Sequence, residues 1–284
     1  MLQKIDNKHL ENVSFLDVYY NMDPINSTNP IKIELPPCAA EITQFHMKEI
    51  YLVRHGETEW NRLGKHQGSE ADIPLNFNGQ KQAIKIGTYL KNYRIKQKQF
   101  DCICSSPMIR TRETCEIIKG IIGFEGDIQF HDALKERRRD KLSGLCKDDP
   151  MYQQIRQYET IFATNDPIEE KLSQTKMGVM VNTHFDLSYE LDADLENRAS
   201  DIINKIVNNE CNKILIVSHA GLLYALIRKI FKISKVPEGD MTRGNNGWVA
   251  YLTYGCSDAT TNSSRQPEWN MVCEPNTRHL GLTD

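Results

Sequence analysis

Two histidines, delivered by the same local grammar, mark where this chain could do chemistry. Ile50-Tyr51-Leu52-Val53 runs straight into Arg54-His55-Gly56, and Lys213-Ile214-Leu215-Ile216-Val217 runs into Ser218-His219-Ala220-Gly221. Each reads as a buried strand carrying a polar residue, a histidine and a small residue to the end of a sheet. Open α/β sheets bind ligands beyond the carboxyl ends of their strands. Gly56 removes the side chain that would hold a ligand off the backbone, and a phosphate fits such a place. A single histidine after a strand is ordinarily a hydrogen-bonded structural residue. A second copy of the pattern favours a paired imidazole site.

The remaining segments supply the elements that must hold these turns. Phe100-Asp101-Cys102-Ile103-Cys104 reads as a further core strand ending at Ser105-Ser106-Pro107, a helix start with proline in its first turn. Arg110 and Arg112 fall in that turn. Ala83, Ile84, Ile86, Gly87 and Leu90 recur at helical spacing, which predicts a helix over 78–93 with Asn78 as its cap. Leu222 to Phe231 is apolar on most faces, a buried helix, and Asp192 to Arg198 opens another. Strands are expected at 248–252 and 269–273. The fold class that follows is an α/β, three-layer α/β/α sandwich: a mostly parallel sheet with helices on both faces.

The chain has 284 residues, eight cysteines and a net charge of -3 with both signs mixed. Bulk charge of this kind gives no reason to expect nucleic acid or a membrane surface as a partner. The cysteines show no paired Cys-x-x-Cys spacing and read as reduced thiols. Residues 1 to 47 contain no apolar run long enough for a signal peptide or a membrane span, so a cytoplasmic location is expected. That leading region, 1–47, reads as an N-terminal extension with an edge strand at 31–35, and 48–284 as the functional domain. The polar, helix-prone stretch 147–186 reads as an insertion over the mouth of the site.

Arg54-His55-Gly56-Glu57-Thr58, with Trp60 and Asn61 behind it, closely resembles the signature of the histidine phosphatase (phosphoglycerate mutase-like) superfamily. Ser218-His219-Ala220-Gly221 resembles its second histidine motif, and Ser105-Ser106-Pro107-Met108-Ile109-Arg110-Thr111 the segment carrying its second catalytic arginine. The resemblance covers roughly Lys48 to Leu280 in the expected order. It implies His55, Glu136, His219, Arg54 and Arg110 as catalytic residues. It also implies contacts to substrate from Arg54, Asn61, Gln67, Gly68, Arg110, Arg137, His219 and Ala220. Lys65 stands where the family often has arginine, and Glu190 resembles a family glutamate that a helix-capping role explains equally well. The ending Asn276-Thr277-Arg278-His279-Leu280 resembles that of phosphatase members, which makes His279 structural.

One segment departs from the pattern. Mutases of the family carry Glu-Arg-His-Tyr-Gly where this chain has Glu136-Arg137-Arg138-Arg139-Asp140, anchored on Gly144. Glu136 and Arg137 survive; Arg138 and Arg139 replace His and Tyr. The change weakens the case for phosphoglycerate as substrate, and the added arginines are either a solvated basic turn or readers of an acidic substrate. Glu57 remains a second candidate proton donor. Three function classes follow from the resemblance. The first is a metal-independent phosphatase working through a phosphohistidine on His55, with no cofactor. The second is a cofactor-dependent phosphoglycerate mutase using the same intermediate, and the third a catalytically idle binding protein. The phosphatase reading takes a small phosphate ester or a phosphoprotein as its partner, with a homodimer left open.

Overall fold

A computed structural model of the chain describes residues 47–95, 99–146, 148–154, 179, 182–183, 188–233, 245–255 and 267–281. The edge strand expected at 31–35 and most of the insertion expected at 147–186 lie outside them. Six strands form one sheet: β1 (Lys48–Arg54), β2 (Cys102–Ser105), β3 (Ile128–Phe130), β4 (Lys213–Ser218), β5 (Val249–Gly255) and β6 (Glu268–Asn276). Their spatial order is β3-β2-β4-β1-β5-β6. The first four are mutually parallel, whereas β5 and β6 close the other side antiparallel. Parallel β1 and β4 lie side by side, with Arg54 opposite Ser218, so both histidines leave the sheet at the same end.

A one-turn helix, α1 (Glu59–Arg62), follows β1. Period-two alternation assigns the core to two layers. Ile50 and Leu52 of β1 face helices α4 (Asp192–Val207) and α5 (Ala220–Phe231), packing with Leu195, Ile203, Leu223 and Ile227. Tyr51 and Val53 face α2 (Phe77–Tyr93) and α3 (Ile109–Ile122), among Ile86, Leu90, Cys115 and Ile118. Burial on both faces is why the strand reads as a continuous apolar run rather than an alternating one. Among the described residues no helix is long and apolar enough to cross a membrane, and the six described cysteines are free thiols.

The helix starts differ from the sequence expectation in instructive ways. The cap of α2 is Asn76, not Asn78: its side chain accepts from the Gly79 amide at 2.8 Å, while Asn78 is an exposed residue of the first turn. Pro107 precedes α3 instead of entering it, and the orphan amide of Ile109 is met at 2.6 Å by Asp72 from a distant loop. Glu190 does not cap α4; it pairs with Arg198 inside that helix. Helix α5 begins at Ala220, two residues early, with His219 as its N-cap residue.

Gly56 also owes its identity to something other than ligand access. It lies against Gly79 in the first turn of α2 so closely that a Cβ on Gly56 would overlap the Gly79 backbone, and one on Gly79 the Glu57 backbone.

Candidate active site

The carboxyl ends of β1 and β4 and the first turn of α3 bring four side chains together. His55 and His219 pack edge to face with ring centroids 5.2 Å apart. Arg54, His55, Arg110 and His219 are all buried, Arg110 and His219 completely. Nδ1 of His55 lies 2.7 Å from the carbonyl oxygen of Gly56. A carbonyl can only accept, so Nδ1 carries the hydrogen and Nε2 presents a lone pair. Nε2 of His219 lies 2.9 Å from the hydroxyl of Ser106, which leaves its Nδ1 buried with no hydrogen-bond partner.

Both guanidinium groups are anchored by backbone carbonyls. Arg54 Nη1 donates to Asn245 O at 2.6 Å. Arg110 donates from Nη1 to Ala71 O and from Nη2 to Gly68 O, each at 2.9 Å, while its buried Nε has no partner. Gly68, expected at the substrate, thus reaches the site through the carbonyl that holds Arg110, in a left-handed conformation with φ +64°. Buried polar atoms are rarely left unmet, and unmet ones clustered with two fixed cations make a place suited to an anion.

Burial and these charges set the protonation states. Burial, then Arg110 and Arg54, push His55 well below its ordinary range. Burial, Arg110, His55 and the two further arginines Arg54 and Arg198 do the same to His219. Burial brings the Arg54 and Arg110 guanidiniums down to about 10, against the pull of Glu136, and both remain charged at neutral pH. A consequence is measurable in stability. The unfolded chain takes up protons on these histidines near pH 6.5 while the native protein does not, so stability falls as pH drops below about 6.5. Each histidine contributes a loss of up to about 1.4 kcal/mol between pH 7.5 and 5.5. Urea midpoints at the two pH values should show a smaller acid loss in His55→Asn than in wild type. An equal loss in both would contradict a neutral buried His55.

Glu136 lies at the start of α5. Its Oε2 accepts from the Gly221 amide at 3.2 Å and its Oε1 from the Arg137 amide at 2.8 Å. Glu57, the other candidate donor, instead accepts from Asn76 Nδ2 at 2.7 Å, bracing the cap of α2. The backbone that carries Glu136 is clamped from α4: Arg198 donates through Nη1 to Ala133 O and Lys135 O at 2.9 and 2.8 Å, and forms a two-point pair with Glu190. Glu190 in turn accepts from the Arg138 amide.

Other expected contacts are placed further out. Asn61 completes a capping box with Thr58, and its Oδ1 also accepts from Asn246. Arg137 is turned to the Tyr189 hydroxyl and the Asp192 carboxylate. These partners outweigh the effect of burial and raise its affinity for its proton. Gln67 is buried with its Oε1 unpartnered, and Ala220 is the first residue of α5. His279 is structural, with Nε2 2.9 Å from Gly247 O. Asn246 carries a role that the sequence did not reveal: its Nδ2 holds the carbonyls of His55 and Gly56, at 3.3 Å each. The Asn245-Asn246-Gly247 run was legible only as a turn.

Residues 50–257 match the sequence profile of the Histidine phosphatase superfamily (branch 1). The chain is 30% identical over 184 residues to Uncharacterized phosphatase PhoE of Bacillus subtilis, covering 65% of this chain and 78% of that protein. It is 42% identical over 90 residues to Probable phosphoglycerate mutase GpmB of Escherichia coli, a match spanning 32% of this chain and 38% of that one. A crystal structure of phosphoglycerate mutase from Bacillus anthracis superposes with a TM-score of 0.64 at 20% identity, covering 84% and 96% of the two chains. A phosphoserine phosphatase from Entamoeba histolytica gives 0.54 at 22% identity, covering 82% and 98%. These likenesses bear on the fold.

Proposed function

Because the chain belongs to branch 1 of the histidine phosphatase superfamily, and so acts on phosphate groups, we propose that it hydrolyses phosphate monoesters without a metal, through a phosphohistidine on His55. The observation that carries this reading is the setting of the His55 ring: its Nδ1 lies 2.7 Å from Gly56 O, which leaves Nε2 as the nitrogen able to attack, and Arg54 and Arg110 are buried in the same site. Phosphoryl transfer needs an in-line nucleophile and fixed positive charge around the equatorial oxygens. Nε2 attacks phosphorus, the P–N bond forming as the ester P–O bond breaks, and Glu136 in its acid form gives its proton to the departing alkoxide. Water then attacks phosphorus and passes a proton to the Glu136 carboxylate, and cleavage of the P–N bond frees phosphate and neutral His55. Arg54, Arg110 and the Nδ1 side of His219 hold the transferring oxygens throughout.

Phosphate release from a panel of esters in EDTA, including phosphoserine peptides and 3-phosphoglycerate, tests the reading. Robust release is expected. No release from any ester, together with conversion of 3-phosphoglycerate to 2-phosphoglycerate on adding bisphosphoglycerate, would make the protein a mutase.

A further inference from the structure

Beside Glu136, and reaching Ala220 next to His219, lies a cleft of about 340 Å³ lined also by Arg137, Arg139, Asp192, Gly221 and Arg228, among others. It adjoins the proposed proton donor directly. Gly221 lines the cleft and donates to Glu136 Oε2, and a Cβ at Gly221 would run into the other carboxylate oxygen. An alcohol receiving a proton from Glu136 on this side would emerge into the cleft.

The charges there do not cancel. Arg137 pairs with Asp192. Arg228 pairs with Glu196 at 2.7 Å and lies 3.8 Å from Asp192. Arg139 is different: its backbone amide donates to Glu70, and its guanidinium lies 5.7 Å from the centre of the Tyr189 ring. No carboxylate partners that guanidinium among the described residues. Tyr189 is itself held in place, because its hydroxyl accepts from Arg137. Of the three arginines on the cleft wall, Arg137 and Arg228 each have a carboxylate partner and Arg139 has none among the described residues, which leaves a planar fork half-exposed on the wall, poised for an anion.

Resting on the phosphatase reading above, we propose that this cleft receives the leaving alcohol and that Arg139 selects alcohols bearing a second anionic group, a carboxylate or a further phosphate. The volume sits at the low end of small-molecule sites, which favours a small ester over a phosphorylated protein segment. Arg139 is therefore a specificity residue: it acts on the part of the substrate that leaves, not on the phosphoryl group being transferred.

A matched pair of probes isolates that second charge. 3-Phosphoglycerate and glycerol 3-phosphate share a chain length and a phosphate but differ in a carboxylate against a hydroxymethyl group. Their affinities are read by calorimetry on the His55→Ala protein, where no turnover is needed, so the result stands whether or not any ester is hydrolysed. The carboxylate probe should bind about tenfold tighter or more, as a charge-assisted pair would give. In His55→Ala/Arg139→Gln that ratio should fall toward one, and Arg139→Lys should restore part of it. Propane-1,3-diol bisphosphate, compared with its monophosphate, reports whether a second phosphate serves in place of the carboxylate. Equal binding of all matched pairs, or a ratio untouched by Arg139→Gln, would overturn the proposal. Tighter binding of a phosphoserine peptide than of every small anion would overturn the size argument.

Discussion

Phosphate release by His55→Ala is expected to fall roughly 10⁴-fold or more below wild type, the scale seen when a covalent nucleophile is removed from a site whose other groups stay in place. The effect is large because the substitution removes the attacking nitrogen itself. Ser106 is the closest hydroxyl bonded to the histidine pair, but it lies under His219 and also receives the Met108 amide. Binding should survive, because Arg54 and Arg110 are held by the carbonyls of Asn245, Ala71 and Gly68, none of which depends on the imidazole. Inorganic phosphate should therefore inhibit or bind the variant within a few-fold of wild type. Rapid-quench labelling with a ³²P ester should trap an acid-labile, alkali-stable phosphoprotein in wild type and none in His55→Ala. Retention of a tenth of the activity by the variant would end the case for a phosphohistidine.

Glu136→Gln should lower turnover of an alkyl phosphate by about 10² to 10⁴, the usual worth of a positioned general acid and base. The loss should depend on the leaving group. A 4-nitrophenolate departs without a proton, so the variant should release one equivalent of it in a burst and then stall at the hydrolysis of the phosphoenzyme, where the carboxylate is needed as a base. A uniform loss on both esters, with no burst, would assign Glu136 a structural part only. Arg198 belongs to the same experiment as a positioning residue. It grips the carbonyls of Ala133 and Lys135 just before Glu136 with a fork that lysine cannot reproduce. Arg198→Lys should show a weaker form of the same leaving-group dependence, and a loss independent of leaving group would count against its acting through Glu136.

Local pattern made much of the fold legible. Ile50 to Val53 announced a strand buried on both faces, and the two strand-His turns do meet at one sheet end because β1 and β4 are parallel neighbours. The Ser105-Ser106-Pro107 helix start placed Arg110 in the first turn of a helix, and there it is fully buried. What escaped the sequence is what depends on contacts between distant segments. Asn246 reaches back about 190 positions to hold the His55 and Gly56 carbonyls, and Asp72 caps a helix 37 residues on. Short-range pattern points to Asn78, but Asn76 is an equally good cap type, and only its extended backbone makes it the cap. Glu190 was ambiguous for a similar reason. A carboxylate just before a helix suggests a cap, and its true partner, Arg198, sits two turns further along that helix.

The contact of Gly56 with Gly79 ties the height of the His55 turn to the start of α2 without any side chain between them. Side chains can repack around a change of one methyl group; two backbones in touch have no such slack. In the phosphohistidine mechanism proposed above, the pair would act as a mechanical stop, limiting how far the turn can recede when a phosphoryl group presses on Nε2. Recoil at the nucleophile would have to be carried by a whole helix.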